Sequence, residues 1–341
     1  MADKWIYWLN ELRSEDNDKV GKKCANLGEM THLGMKVPPG FAISVNGYEL
    51  FMKKTGAEAE IKKYVQNNES EFQKIDKQVE ASRYIRELIE HKVIPDEMRE
   101  ELFGNYKKLC DLVGIENLAV AVRSSGAISM PGQMETYLNV RGEDDVVKSV
   151  VKVWASAFTT RAIAFRLENK MEMHRAPIGV AVLKMVNAKS AGVTLTVQPT
   201  TGDLSKVVVE GNWGLGESVV SGEITPDNFI IDKNSGEIES TISEKTKMVT
   251  FQENGTGAVD VPEALRNESC LERDELEEIV RIALKVETHY GMPQDMEWVF
   301  DKDLTFPDNL FWVQTRPAKY VKKKESNTEY IADLMSRVFT R

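Results

Sequence analysis

Two short segments gather the side chains best suited to chemistry: Asp295-Met296-Glu297-Trp298-Val299-Phe300 and Leu310-Phe311-Trp312-Val313-Gln314-Thr315-Arg316-Pro317. Both are strand-like, and a strand turns successive side chains to opposite faces. If they pair as an antiparallel hairpin with Asp295 opposite Arg316, Glu297 falls opposite Gln314. One face then gathers two carboxylates, an amide and a guanidinium. The other sets Met296 against Thr315, Trp298 against Val313 and Phe300 against Phe311. That apolar face fixes the register, because a slip of one residue would turn it to solvent. Two carboxylates and an amide oxygen are hard ligands suited to magnesium, and an adjacent guanidinium suits a phosphate. The same residues also read as a cross-strand salt bridge on a sheet surface.

Glycine-rich segments come next. Gly211-Asn-Trp-Gly-Leu-Gly-Glu217 carries three glycines, which let backbone amides approach a phosphate closely. It matches neither standard nucleotide fingerprint: no Gly-x-x-x-x-Gly-Lys-Ser/Thr occurs, and Val219 stands where the third dinucleotide glycine belongs. A plain turn is the competing reading. Lys23 sits between Gly21 and a helical pattern, with Lys22 beside it blurring which ammonium matters. Arg123 ends an apolar run, Leu118-Ala-Val-Ala-Val-Arg123, where its charge must find a partner or face a cleft. The four histidines, His32, His91, His174 and His289, have no metal-spaced partners and read as structural or exposed.

The elements that must position these residues follow from periodicity. The first forty residues alternate short apolar segments with glycines, ending at Val37-Pro38-Pro39-Gly40, a texture typical of α/β layouts. Residues 58–112 are dense in Lys and Glu, with Ile75, Val79, Ile85, Leu88 and Ile89 at helical spacing. This charged insert reads as helices with a solvated face. A long amphipathic helix is expected over 144–169, strands over 178–186, 192–197, 207–210 and 229–232, and a helix over 273–290 stopped by Gly291.

Composition closes off several classes. The chain has 341 residues, with 44 Lys plus Arg against 54 Asp plus Glu, a net charge of −10 that disfavours a nucleic-acid coat. No apolar run reaches the roughly 20 residues of a membrane span. The N-terminus lacks a signal-peptide core, so a cytoplasmic location is expected. Cys24, Cys110 and Cys270 are too few and too scattered for a disulfide framework or a structural zinc.

Nine segments in order resemble the nucleotide-binding domain of phosphoenolpyruvate synthase and pyruvate phosphate dikinase. They begin with Val20-Gly21, Lys23 and Ala25-Asn-Leu-Gly-Glu-Met30, then Val37-Pro-Pro-Gly-Phe41, Val122-Arg-Ser-Ser125, Ser129-Met-Pro-Gly132 and Glu135-Thr-Tyr-Leu-Asn139. Trp213-Gly-Leu-Gly-Glu217, Ser221-Gly-Glu-Ile-Thr-Pro-Asp227, Asp295-x-Glu297-Trp298 and Gln314-x-Arg316-Pro317 complete the set, over about residues 5–318. The resemblance implies an α/β (α+β) ATP-grasp-like domain with ATP in a cleft between two lobes. The lobes are expected at 1–180 and 181–318, with a tail at 319–341 that reads as a docking helix or a frayed end. By the same resemblance Lys23 and Arg123 hold phosphates, Glu297 and Gln314 hold magnesium with Asp295 in support, and Arg316 meets the phosphate. The Gly132 loop covers the phosphate chain, the backbone of Lys184, Met185 and Val186 lines the adenine, and Thr136 and Glu217 complete the ATP site.

Two positions depart from the family: Lys22 replaces a second glycine, and Leu183 replaces a glutamine beside the adenine. The family's phosphohistidine context, Gly-Gly-x-Thr-Ser-His, does not occur, nor does its pyruvate-binding barrel. The chain therefore resembles a stand-alone form, such as the ATP-binding subunit of phenylphosphate synthase. The implied role is a catalytic subunit that binds Mg-ATP and passes the β-phosphoryl group to a histidine on a sister subunit, with phenol as final acceptor. The alternatives are a non-catalytic nucleotide-binding regulator, or an excised ATP-binding domain of a phosphoenolpyruvate synthase or rifampicin phosphotransferase. Retention of Lys23, Arg123, Glu297, Gln314 and Arg316 together favours catalysis.

Overall fold

Apolar runs too short for helices, closed by glycine, proline or polar turns, become strands and assemble into two sheets. The computed structural model describes residues 4–127, 134–216, 219, 224–253 and 255–321. The first sheet is ordered β1 (Ile6–Trp8), β2 (Gly40–Ile43), β5 (Gly179–Lys184), β3 (Val120–Ser125), β4 (Thr136–Val140). The second is ordered β13 (Leu310–Pro317), β12 (Gln294–Asp301), β6 (Ala188–Leu195), β7 (Lys206–Trp213), β8 (Asp227–Asp232), β9 (Ile238–Thr241). A separate hairpin joins β10 (Lys247–Phe251) to β11 (Thr256–Asp260). Every pairing between these strands is antiparallel, so the mixed fold is of the α+β kind.

Helix α1 (Asn17–Val20) runs into α2 (Lys22–His32), which lies between the sheets. Helices α3 (Val45–Lys54), α4 (Ala57–Asn68), α5 (Ile75–Glu90) and α6 (Asp96–Val113) form the charged insert and its approach. Their apolar stripes, including Ile61, Ile85, Ile89, Leu102 and Tyr106, share a core with Trp154 and the first sheet. Ile75 and Val79 do not join it: they are 75% and 51% exposed. Round α5 they lie roughly 60° and 100°, respectively, from the centre of the buried stripe of Ile85 and Ile89. The long helix expected over 144–169 is two helices, α7 (Glu143–Ser156) and α8 (Thr160–Glu168). Thr159 breaks them by capping α8, its hydroxyl accepting from the Ala162 N–H at 3.3 Å. Helix α9 (Arg273–Tyr290) ends at Gly291, whose φ of 63° supplies the left-handed stop.

The lobe boundary expected at 180/181 falls inside β5. That strand feeds both cores by alternation: Val180 and Val182 face the helical insert, while Ala181 and Leu183 face α2 and the second sheet. The change of sheet comes between Lys184 and Ala188. Helix α2 fills the space between the sheets with Cys24, Ala25, Leu27 and Met30, against Trp298, Phe300 and Trp312. The second of these two cores therefore draws on residues from both sides of the expected boundary.

The β12–β13 hairpin pairs Asp295 with Arg316, Met296 with Thr315 and Glu297 with Gln314, as the sequence predicts. Beyond Glu297 a bulge shifts the register, so Trp298 meets Trp312, Val299 meets Phe311 and Phe300 meets Leu310. The expected pairs Trp298–Val313 and Phe300–Phe311 are thereby corrected. Packing is the reason: the bulge turns Trp312 and Leu310 into the shared core, where they are 0% and 3% exposed. Phe311 moves to the other face, where it joins Val299, Val186 and Ala191.

Cys24, Cys110 and Cys270 are free and buried. Among the described residues no helix is long and apolar enough to cross a membrane.

Candidate functional site

The site is built where the end of β3 meets the start of α2. Gly21 has φ 79°, and a Cβ there would lie 1.8 Å from the Ser125 carbonyl oxygen, so only glycine permits the approach. The Lys22 N–H then donates to the Gly126 carbonyl at 3.0 Å, and the Cys24 N–H to Ser125 Oγ at 3.0 Å. This seam sets Lys23 beside Arg123, a hundred residues away in sequence. The two neighbouring lysines differ in burial: Lys22 is exposed and Lys23 is half-buried. Glycine is needed at 21, and Lys22 does not obstruct the approach.

Burial pushes the Lys23 ammonium down to about 8, Arg123 adding to the effect and Glu297 opposing it, with Arg316 a weaker repulsion. Three residues from three distant segments therefore act on one ammonium. Neither Lys23 nor Arg123 has a side-chain hydrogen bond or ion pair among the described residues, and Arg123 Nε is buried without an acceptor. Two unpartnered cations beside each other call for an anion.

Arg123 opens into a cleft of about 480 Å³ between the two sheets. Ala121 and Arg123 reach it from β3, Thr136 and Leu138 from β4, Glu297 and Val299 from β12, each pair two residues apart on one face. Arg123 lies directly opposite Thr136. Two apolar walls flank the opening. One combines Ala121, Met185, Leu138 and Leu215; the other combines Val186, Ala191, Val299 and Val313. A slot between apolar walls, with Arg123 and Glu297 in its lining and Lys23 just outside it, suits a flat ring carrying a charged chain.

Lys184, Met185 and Val186 do line the cleft. The Lys184 ammonium is committed elsewhere, 3.2 Å from the buried Asp301 and over the Phe311 ring. The Lys184 and Met185 N–H groups donate to the carbonyls of Pro39 and Ala119, at 2.8 and 2.9 Å. Of the three backbone amides, that of Val186 makes no such bond among the described residues.

On the hairpin, Gln314 Nε2 donates to Glu297 Oε1 at 2.7 Å. Glu297 Oε2 and Gln314 Oε1 remain as hard oxygen donors. Asp295 and Arg316 pair with each other: Nε and Nη2 both reach Asp295 Oδ2, at 2.8 and 2.7 Å. The salt-bridge reading thus holds for that pair, which does not line the cleft. No group of three or more His, Cys, Asp or Glu able to hold a metal occurs among the described residues. One or two carboxylates and an amide fit magnesium that arrives with a phosphate ligand, not a closed protein cage. Gly132 and Glu217 lie outside the described residues.

A larger groove, about 1160 Å³, runs beside α6 and the turn into α7. It is lined by already paired charges such as Arg99 with Asp144 and Lys148 with Asp145, and it holds none of the converging cations. The histidines also lie apart from the cleft: His289 contacts Glu29 at 3.1 Å, and His91 bonds its own helix. Sequence reasoning missed Leu138, Leu215, Val299 and Val313, because an apolar pocket wall reads like core.

The chain matches the family model of the pyruvate phosphate dikinase AMP/ATP-binding domain over residues 17–336. It is similar to a probable phosphoenolpyruvate synthase of Methanocaldococcus jannaschii, 38% identical over 94% of this chain and 27% of that protein. A probable phosphoenolpyruvate synthase of Staphylothermus marinus is 37% identical over 98% of this chain and 44% of its own length. The phosphoenolpyruvate synthase of Aeropyrum pernix is 36% identical over 96% and 44%. The chain thus spans less than half the length of each of these relatives.

Proposed function

The chain belongs to the pyruvate phosphate dikinase AMP/ATP-binding domain family, and from that premise we propose that its cleft binds Mg-ATP for a dikinase-type phosphoryl transfer. One observation carries the reading: the unpartnered cation Arg123 lines an apolar slot together with Glu297, and a second unpartnered cation, Lys23, lies near enough to both for them to act on its charge. Lys23 and Arg123 take the phosphate chain, and Arg316 adds a third positive charge to the field. The adenine lies between the two apolar walls, with the Val186 amide as its free backbone donor. Side-chain recognition of the base is not needed, which accommodates Leu183. Glu297 and Gln314, with Asp295 in support, are the residues that hold magnesium; when bound, the ion neutralises phosphate charge. Prepositioned charge of this kind is the main catalytic contribution in phosphoryl transfer.

The β-phosphoryl group passes to a histidine on a partner chain or domain, water takes the γ-phosphoryl as phosphate, and AMP is left. The names of the relatives favour pyruvate over phenol as the final acceptor. To test this, the chain is incubated with magnesium, β-labelled ATP and a partner carrying the phosphohistidine domain, with pyruvate or phenol added in turn. The expected result is labelled histidine, released AMP, and discharge by one acceptor. ATP binding with no AMP formed would support the non-catalytic regulator instead.

A further inference from the structure

The β10–β11 hairpin belongs in sequence to the second lobe, yet it reaches across to the first. At its root, the Leu215 N–H donates to the Val249 carbonyl at 2.8 Å. Gly214, with φ 75°, comes so close that a Cβ would lie 2.4 Å from that same oxygen. At its tip, Asn139 of β4 donates both hydrogens of its side-chain amide, to the Gln252 carbonyl at 2.8 Å and the Gly255 carbonyl at 2.9 Å. Asn139 Oδ1 in turn accepts from Arg141 Nε at 3.1 Å. The amide is therefore fully used, 6% exposed, and set on a backbone with φ 53° that asparagine tolerates better than most residues.

Between root and tip, Phe251 packs against the small cluster of Ala119, Ala121 and Met185, as Leu138 and Leu215 also do; of these Ala121, Met185, Leu138 and Leu215 line the cleft. We propose that Asn139 is a positioning residue for the nucleotide: it clasps the hairpin against the back of one cleft wall and so sets how fast nucleotide leaves. This rests on the nucleotide-cleft reading. Asn139 itself does not line the cleft, and it acts through Leu138, its neighbour in β4, and Phe251 on the hairpin it holds. The hydrogen bonds span 113 and 116 residues of sequence, so the clasp joins the lobes and is not a local turn.

The test is stopped-flow release of a fluorescent ATP analogue from the full chain, compared with Asn139→Ala, Asn139→Asp and Arg141→Ala. Loss of two hydrogen bonds gives release about tenfold faster in Asn139→Ala. Asn139→Asp is at least as fast, because a carboxylate then faces two carbonyls. Arg141→Ala shifts release the same way by less, and it serves if the Asn139 variants do not fold. Association rates stay at parental values, and any fall in the nucleotide-free melting temperature accompanies faster release. Parental release rates in the folded variants overturn the clasp, as does a lower melting temperature in place of faster release. A parent that binds no analogue overturns the cleft reading and the clasp with it.

Discussion

Burial, helped by Arg123, brings the Lys23 ammonium down to about 8, within the range an assay can follow. Free protein carries that charge below about 8 and loses it above. A bound phosphate chain holds the proton on, so ATP affinity is full below about 8 and falls as pH rises, by about tenfold per unit. Titrations across this window should show the slope in the parent and none in Lys23→Gln, whose affinity is lower throughout. The same shift acts on stability with a defined sign. Between about 8 and the ordinary lysine value of 10.5, the unfolded chain keeps a proton that the folded chain has lost. Stability without nucleotide therefore rises with pH there, relative to a Lys23→Met variant. Lys23 and Arg123 were each ambiguous as isolated residues in the sequence. Their meeting depends on the Gly21–Ser125 seam, which no local pattern records.

Elements differ in how far their sequence announces them. The Asp295–Arg316 and Glu297–Gln314 pairs follow from strand alternation, but the bulge beyond them does not, because it answers to where Trp312 and Leu310 find a core. Asp227, the last residue of the Ser221–Asp227 segment, has a similar history. It accepts from the Lys245 ammonium at 2.7 Å, the Ser243 N–H at 3.0 Å and the Cys270 N–H at 2.8 Å, with Asp227 and Lys245 both fully buried. Nothing in the sequence marks Lys245 as its partner. Asp227→Asn leaves a buried ammonium without its counter-charge and should cost about 3–5 kcal/mol in urea unfolding. Asp295→Asn breaks a pair whose Arg316 side chain is 45% exposed and should cost no more than about 1 kcal/mol. Equal losses would contradict this division between a buried and a partly exposed ion pair.

At the scale of the molecule, the mixed α+β character, the helical insert and the final helix were legible from periodicity. The partition at 180/181 was not. A change from helical to strand-like texture marks where strands begin, whereas β5 completes the first sheet and sends alternate side chains into two cores. Because α2 lies in the shared core and carries Lys23 on its first turn, the lobes and the cation pair are held as one unit. Asn26 reinforces this by donating to the Thr315 carbonyl at 2.9 Å, tying α2 to the strand of Gln314 and Arg316. The central claim is that this unit is an ATP site made of Lys23 and Arg123. Calorimetric titration with ATP and magnesium tests it most directly, on the parent and on Lys23→Ala and Arg123→Ala. The account predicts one ATP per parent chain and, in each folded variant, affinity at least about tenfold weaker, as expected for a lost charge-assisted contact. Parental affinity in both variants, or no binding by the parent, would contradict it.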